Sequence, residues 1–311
     1  MEQDRVRRFE QAAELLPPRL RRLAMETPDE RKERAEELRL RVNAPLTVVT
    51  AEGEHPVAAA ERDALVTRDD VERVVAGVTE YSRYASAESL RRGFLPVRGG
   101  FRLGVCGTAV LRDGAVCSLK DYSSLALRIV REHVGVGEAV APELFDGEGR
   151  FRSTLILSPP GGGKTTLLRD LIRCLSDGGL RVAVVDERSE LAVSVDGCPQ
   201  TELGARTDVL DGCPKALGVP MVLRAMSPQV IAVDEIACGA DVDTMCAAAN
   251  CGVALLATIH ARDVPELTRK PLWRALLAAE VFERAVVIAI EGGARRYRVE
   301  DVPCSGEPAR S

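Results

Sequence analysis

The stretch Thr154-Leu-Ile-Leu-Ser158-Pro159-Pro160-Gly161-Gly162-Gly163-Lys164-Thr165-Thr166-Leu-Leu168 constrains this chain more than any other feature. An apolar, extended run feeds a Pro/Gly-rich turn, and the turn feeds a helix-forming segment. Successive glycines let main-chain N–H groups point inward and form an anion nest. The helix that follows offers its unpaired N–H groups and the positive end of its dipole to the same point. Lys164 reaches the β- and γ-phosphates of a nucleotide and the Thr165 hydroxyl is a Mg²⁺ ligand, which is the chemistry of a P-loop. ATP and Mg²⁺ are therefore the expected cofactors. The expected nucleotide contacts are Ser158, Pro159, Pro160, Gly161, Gly162, Gly163, Lys164, Thr165 and Thr166. The chain uses arginine heavily and has five lysines, yet a lysine stands where a P-loop requires one. The full motif asks for glycine where this chain has Ser158, so a residue with less freedom at positive φ opens the loop.

A second acidic site follows in Gln229-Val-Ile-Ala-Val-Asp234-Glu235-Ile236, an apolar strand ending in two carboxylates. At the C-terminal edge of a parallel sheet such residues face the ligand crevice. Asp234 is expected to hold the Mg²⁺ shell and Glu235 to polarise the attacking water as general base. Ser227-Pro228 stops the preceding helix, so the strand starts cleanly. Val182 to Val185 runs into Asp186-Glu187-Arg188-Ser189-Glu190. Glu187 or Glu190 either orients water or Mg²⁺ there or belongs to a plain charged loop. Ala257-Thr258-Ile259-His260 ends another strand, which makes His260 a candidate sensor of the γ-phosphate. Arg206 and Arg224 precede the Asp234 strand. Phosphoryl-transfer sites use an arginine against transition-state charge, often from a neighbouring subunit, so each is a candidate.

The 311 residues allow about two domains. Up to residue 42, leucines at helical spacing (Leu15, Leu16, Leu20, Leu23, Leu38, Leu40) are broken by Pro17, Pro18 and Pro28, which predicts short helices. Leu46 to Thr50 is expected as a strand, Thr67-Arg68-Asp69-Asp70 as a helix start with a capping box, and Tyr81 to Arg92 as a helix. Phe101 to Cys106, Ala109 to Leu111 and Val116 to Leu119 are short extended runs between hairpin signals, so residues 94–131 are expected to be mostly sheet. The polar turn Asp146-Gly147-Glu148-Gly149 is the expected boundary. It separates an α+β N-terminal domain (1–148) from a P-loop ATPase domain (149–311). In the second domain, near-continuous Val/Ile/Leu runs alternate with helices, which suits a mainly parallel, RecA-like α/β sheet buried on both faces.

Charge is nearly balanced, with 47 acidic against 42 basic residues and a net charge of −5. With aromatics at 4%, neither basic grooves nor stacking platforms are visible, so nucleic acid is an unlikely partner. Nine cysteines are scattered without a CxxC pair, as expected of reduced thiols in the cytoplasm. The charged N-terminus is not a signal peptide, and no apolar run reaches the length of a membrane span. Membrane association is thus expected only through partners.

GGGKTTLLRD, VVDERSEL, RTDVLDGCPKA, MSPQVIAVDEI and ATIHA follow one another in an order that resembles the stage III sporulation protein AA family of endospore-forming bacteria. Glu80-Tyr-Ser-Arg-Tyr, Gly99-Gly-Phe-Arg-Leu-Gly and Ser123-Ser-Leu-Ala-Leu-Arg-Ile-Val-Arg-Glu extend the resemblance over about residues 15–300. That family in turn resembles the ring-shaped, hexameric ATPases of type II and type IV secretion systems and pilus motors. The resemblance implies an oligomeric motor or assembly ATPase on the mother-cell side of the channel complex joining mother cell and forespore, docked on its membrane proteins. It places Asp186 and Glu187 in an acidic box, Arg206 and Arg224 in an arginine-rich region and His260 in a histidine box. Arg102 and Arg128 are weaker candidates for nucleotide contact. Ser158 departs from the first loop glycine, and Ala261 stands where many secretion ATPases have a polar residue. Two other readings stay open: a RecA-like ATPase stimulated by nucleic acid, and a slow nucleotide-gated scaffold.

Overall fold

The computed structural model describes residues 2–57, 65–79, 94–112, 114–129, 133–269, 271–291 and 294–303. The chain forms two compact units, Met1–Arg131 with Val193–Gln200, and Glu132–Ala192 with Thr201–Ser311. The Asp146–Gly149 turn, expected as the boundary, lies inside the second unit. Upstream of it, Val140, Ala141 and Leu144 are buried in one cluster with Leu167, Leu168 and Leu171 of the helix after the Gly-rich turn. Apolar packing therefore joins 140–144 to the second unit ahead of the turn.

The first unit opens with three short helices, α1 (Glu2–Ala13), α2 (Pro18–Met25) and α3 (Asp29–Arg34). β1 (Glu37–Arg41), β2 (Thr47–Thr50), β3 (Gly53–Pro56), α4 (Arg68–Thr79), β4 (Phe94–Val97), β5 (Phe101–Arg112) and β6 (Ala115–Arg128) follow. The strands form one antiparallel sheet in the order β3-β2-β1-β6-β5-β4. Leu38 and Leu40, expected on a helix, lie on β1 opposite Leu127 and Leu125. Their spacing of two is the strand period, and Arg39 between them faces the other way. The short runs of 101–119 merge into one long hairpin with a register shift between Cys106 and Thr108. Gly107 sits at that shift, where a Cβ would meet the Lys120 carbonyl oxygen at 2.6 Å. The helix expected over Tyr81 to Arg92 lies outside the described residues.

The second unit contains β7 (Thr154–Leu157), α5 (Lys164–Asp177), β8 (Val182–Asp186), β9 (Thr207–Asp211), α6 (Lys215–Met226), β10 (Val230–Val233) and α7 (Gly239–Ala249). It continues with β11 (Ala254–Ile259), α8 (Val264–Leu267), α9 (Pro271–Ala278), β12 (Arg284–Glu291) and β13 (Ala294–Asp301). Its sheet runs β13-β12-β7-β11-β10-β8-β9, parallel from β12 to β9, with β13 antiparallel at one edge. Alternate residues of the central strands enter two cores. Leu155, Leu157, Val185, Ile231 and Val233 pack with Val219, Val222 and Met245 of α6 and α7. Ile156, Val184, Ala232 and Leu256 pack with Leu167 and Leu171 of α5. Burial on both faces explains the unbroken apolar runs. Neither edge strand, β9 nor β13, has such a run, and both escape recognition as strands in the sequence.

The start of α4 is held by a closed set of bonds. Asp70 N donates to Thr67 Oγ1 (3.1 Å), and Asp70 Oδ2 accepts from Thr67 N (2.8 Å) and Arg19 Nη2 (2.5 Å). Burial works against charge on Asp70, but the Thr67 bonds and Arg19 hold its carboxyl below the ordinary 3.8. The stabilisation is therefore present above that value and lost as pH falls through the lower, folded one. Asp70→Asn is expected to destabilise the protein by about 1–3 kcal/mol at pH 7. In thermal melts over a pH series, the gap to the parent protein should close below pH 3.8; a gap independent of pH would refute the assignment.

Candidate functional site

The chemistry-bearing residues collect at the C-terminal ends of β7, β11, β10 and β8. Residues 158–163 turn from β7 into α5, with Gly161 (φ 76°) and Gly163 (φ 99°) in the left-handed region. Ser158 does not adopt positive φ, so serine meets no backbone obstacle there. Its side chain instead sets a demand on Gly162, where a Cβ would fall 1.7 Å from Ser158 Oγ. The Lys164 side chain is buried. Its Nζ donates to Ser158 O (3.0 Å) and Pro159 O (3.2 Å) and lies 2.8 Å from His260 Nδ1. Burial draws the Lys164 pKa below its ordinary value, against the opposing pull of Glu235 and Asp234.

Asp234 follows β10 directly. Its Oδ1 accepts from Thr258 Oγ1 (2.9 Å) and Glu235 N (3.0 Å), leaving Oδ2 turned to Thr165 Oγ1 at 3.5 Å. Glu235 N also approaches Thr258 Oγ1 at 3.1 Å. Thr258 is fully buried on β11, between the strands that carry the two motifs, and its hydroxyl fixes which oxygen Asp234 presents. His260 links both motifs. With the Lys164 ammonium donating to Nδ1, the ring proton sits on Nε2, 3.3 Å from Glu235 Oε1. Arg188 Nη1 lies 3.9 Å from Glu235 Oε2.

These groups line a cavity of about 420 Å³ together with Gly161, Gly163, Thr166, Glu190 and Arg295. Its volume suits a small-molecule ligand. A larger cavity of about 710 Å³ opens by Leu180, Pro228, Asn250 and Ala279. These residues follow helix C-termini, where carbonyls and not N–H groups lack partners, so it does not suit a phosphate.

Not every expected residue converges. Asp186 is fully buried and accepts from the N–H groups of Glu190 (2.9 Å), Leu191 (2.9 Å) and Ala192 (2.8 Å). Burial pushes its carboxyl up to about 6 despite those bonds. Asp186 thus folds the loop after β8. Glu187 pairs with Lys215 at 2.5 Å in a smaller cavity shared with Asp234 and Glu235. Arg206 donates to Gly179 O (2.7 Å) behind α5, and Arg224 to Pro220 O (3.1 Å) on its own helix. Neither lines the cavity of Lys164. In the first unit Arg102 lies over the Phe94 ring and Arg128 is 3.6 Å from Glu37. Thr258, Arg188 and Arg295 fall outside the candidate residues that the sequence displays. Thr258 carries a signal there, a hydroxyl residue within an apolar strand. Arg295, on an edge strand among other arginines, carries none.

The oxygens of Thr165 and Asp234 are hard donors that fit Mg²⁺, which keeps water and substrate phosphate in its shell. Among the described residues no cluster of three or more His, Cys, Asp or Glu could hold a metal alone. This is compatible with an ion carried in by nucleotide.

Residues 6–300 match the family described as Sporulation stage III, protein AA, and the chain belongs to that family. It is 36% identical over 277 residues to Stage III sporulation protein AA of Bacillus subtilis (strain 168), covering 88% of each chain. The fold is shared with the pilus retraction motor PilT, solved with bound ADP (TM-score 0.59, 19% identity, 88% of this chain and 80% of that one). It is also shared with the Legionella pneumophila ATPase DotB (TM-score 0.55, 18% identity, 86% and 76%).

Removing the Thr258 hydroxyl leaves buried partners unsatisfied. Thr258→Val is expected to cost about 1–3 kcal/mol in denaturant unfolding, whereas Thr258→Ser keeps most of the stability. Stability kept in Thr258→Val but lost in Thr258→Ser would show that the methyl group matters and the hydroxyl does not.

Proposed function

We propose, from membership of the sporulation stage III AA family, that this chain is a Mg²⁺-dependent ATPase working as a self-assembled ring, a motor or assembly ATPase with a RecA-like core. One observation carries the reading. The Thr165 hydroxyl at the start of α5 and the Asp234 carboxylate at the end of β10 lie 3.5 Å apart, beside a buried lysine. Independent motifs thus deliver two metal-binding oxygens and an ammonium to one wall of a cavity.

The main-chain N–H groups of Gly161 to Thr166 receive the phosphates, and Lys164 exchanges its contacts with Ser158 O and Pro159 O for phosphate oxygens. Bound Mg²⁺ would neutralise charge on the phosphates, held by Thr165 and, through its shell, by Asp234. Glu235 accepts the proton of the attacking water, and His260 and Arg188 hold that carboxylate in place. Because His260 touches both Lys164 and Glu235, loss of the γ-phosphate is felt at the base; this supports a sensing role. ATP and water yield ADP and phosphate.

Arg206 and Arg224 lie away from their own chain's cavity, so an arginine finger from either acts on a neighbouring subunit. That supports a closed ring, with six subunits as the expected number. No helix among the described residues is long and apolar enough to cross a membrane. Attachment to the mother-cell face of the channel complex then runs through its membrane proteins, with the ATPase in the cytoplasm.

Glu235→Gln is expected to keep ATP affinity and lose about 10²–10⁴-fold in turnover. Turnover per chain should rise with protein concentration as rings close. A flat response would favour a monomeric nucleotide switch, and stimulation by DNA or RNA would favour a nucleic-acid enzyme.

A further inference from the structure

Arg295 stands on β13, opposite Ile290 of β12 in the register. Its Nε donates to Gly162 O at 3.1 Å. A Cβ on Gly163 would lie 2.7 Å from Arg295 Nε and 3.2 Å from both Cδ and Cζ. Two consecutive residues of the phosphate loop are therefore shaped by one side chain some 130 residues later in the chain. Gly163 needs its glycine twice, once for φ 99° and once for the space that the guanidinium fills.

A guanidinium has five donors in a fixed fork. Among the described residues, Arg295 uses one of them on the protein, at Gly162 O. The side chain also lines the 420 Å³ cavity, with Gly161, Gly163, Lys164, Thr165 and Thr166. Anchoring through Nε fixes the plane of the fork and leaves the Nη groups for a ligand. A planar cation held beside the N-terminus of α5 suits an anion.

We propose that Arg295 is a cis arginine of the nucleotide site, its Nε fastened to the phosphate loop and its Nη groups donating to the polyphosphate of a nucleoside triphosphate. This rests on the nucleotide-binding reading given above. It assigns to the chain's own site the cation that Arg206 and Arg224 do not supply there. The edge hairpin, whose Val286 and Ile288 share a core with Leu167 and Leu171 of α5, thereby becomes part of the binding site as well.

The test is equilibrium binding of fluorescent Mg²⁺–ATP and Mg²⁺–GTP analogues to the full chain, at several salt concentrations. Arg295→Ala is expected to weaken both about tenfold or more, the scale of one charge-assisted bond. Arg295→Lys should recover only part, since an ammonium cannot bond Gly162 O and phosphate with the same fork. The salt dependence of binding should flatten in Arg295→Ala, because a phosphate contact has been lost. An unchanged salt dependence with a lower melting temperature would mean that Arg295 only braces the loop, and would overturn the proposal. A loss confined to one base would also overturn it, in favour of stacking on the base. Absence of binding by the parent chain would refute the nucleotide-binding reading itself. Binding by the parent chain that is abolished in Lys164→Ala but unchanged in Arg295→Ala would refute the arginine assignment alone.

Discussion

The site depends on one spacing, set by the order of three parallel strands. β11 lies between β7 and β10, and its buried Thr258 hydroxyl bonds the Asp234 carboxylate and stands 3.1 Å from Glu235 N. This fixes one oxygen of Asp234 and turns the other toward Thr165. The intervening strand is as much a part of the site as the residues it separates. Its next functional residue, His260, then joins the lysine of one motif to the glutamate of the other.

The sheet can hold that spacing because it is buried on both faces. Alternate side chains of β7, β8, β10 and β11 enter separate cores against α5 on one side and α6 and α7 on the other. Shifting a strand by one residue would exchange its two faces and carry the terminal carboxylate off line. Strand pairing and packing thus set the positions of Asp234 and Asp186 together. The first carboxylate faces the cavity; the second is spent on three N–H groups of its own loop.

Much of this was legible in the residues. Glycine, lysine and threonine at fixed spacing between an apolar run and a helix form the pattern of a phosphate site, and Asp-Glu at a strand end, common alone, gains its meaning when paired with that pattern. These signals are local. What escaped was of two kinds. Leu38 and Leu40 sit among charged residues that also suit a helix, and only the pairing with Leu125 and Leu127 reveals the strand period. Arg295 acquires its place from the β12–β13 register and from contact with Gly162, neither of which spacing encodes. Arg206 and Arg224 show the converse. They are candidates as arginines ahead of the Asp234 strand, of a kind often supplied to a neighbouring subunit, and within their own chain they bond Gly179 O and Pro220 O and do not line the cavity of Lys164. Ser158 shows that a motif position can change residue when its backbone stays outside the left-handed region.

The central claim is that nucleotide and metal meet between the glycine turn and the end of β10. A crystal structure with a non-hydrolysable ATP analogue and Mn²⁺, the metal located by its anomalous scattering, tests it most directly. The expected result is a single peak bridging Thr165 Oγ1, a phosphate oxygen and the Asp234 side of the cavity, directly or through water. A peak away from Thr165, or nucleotide bound outside the Gly161–Thr166 turn, would contradict it.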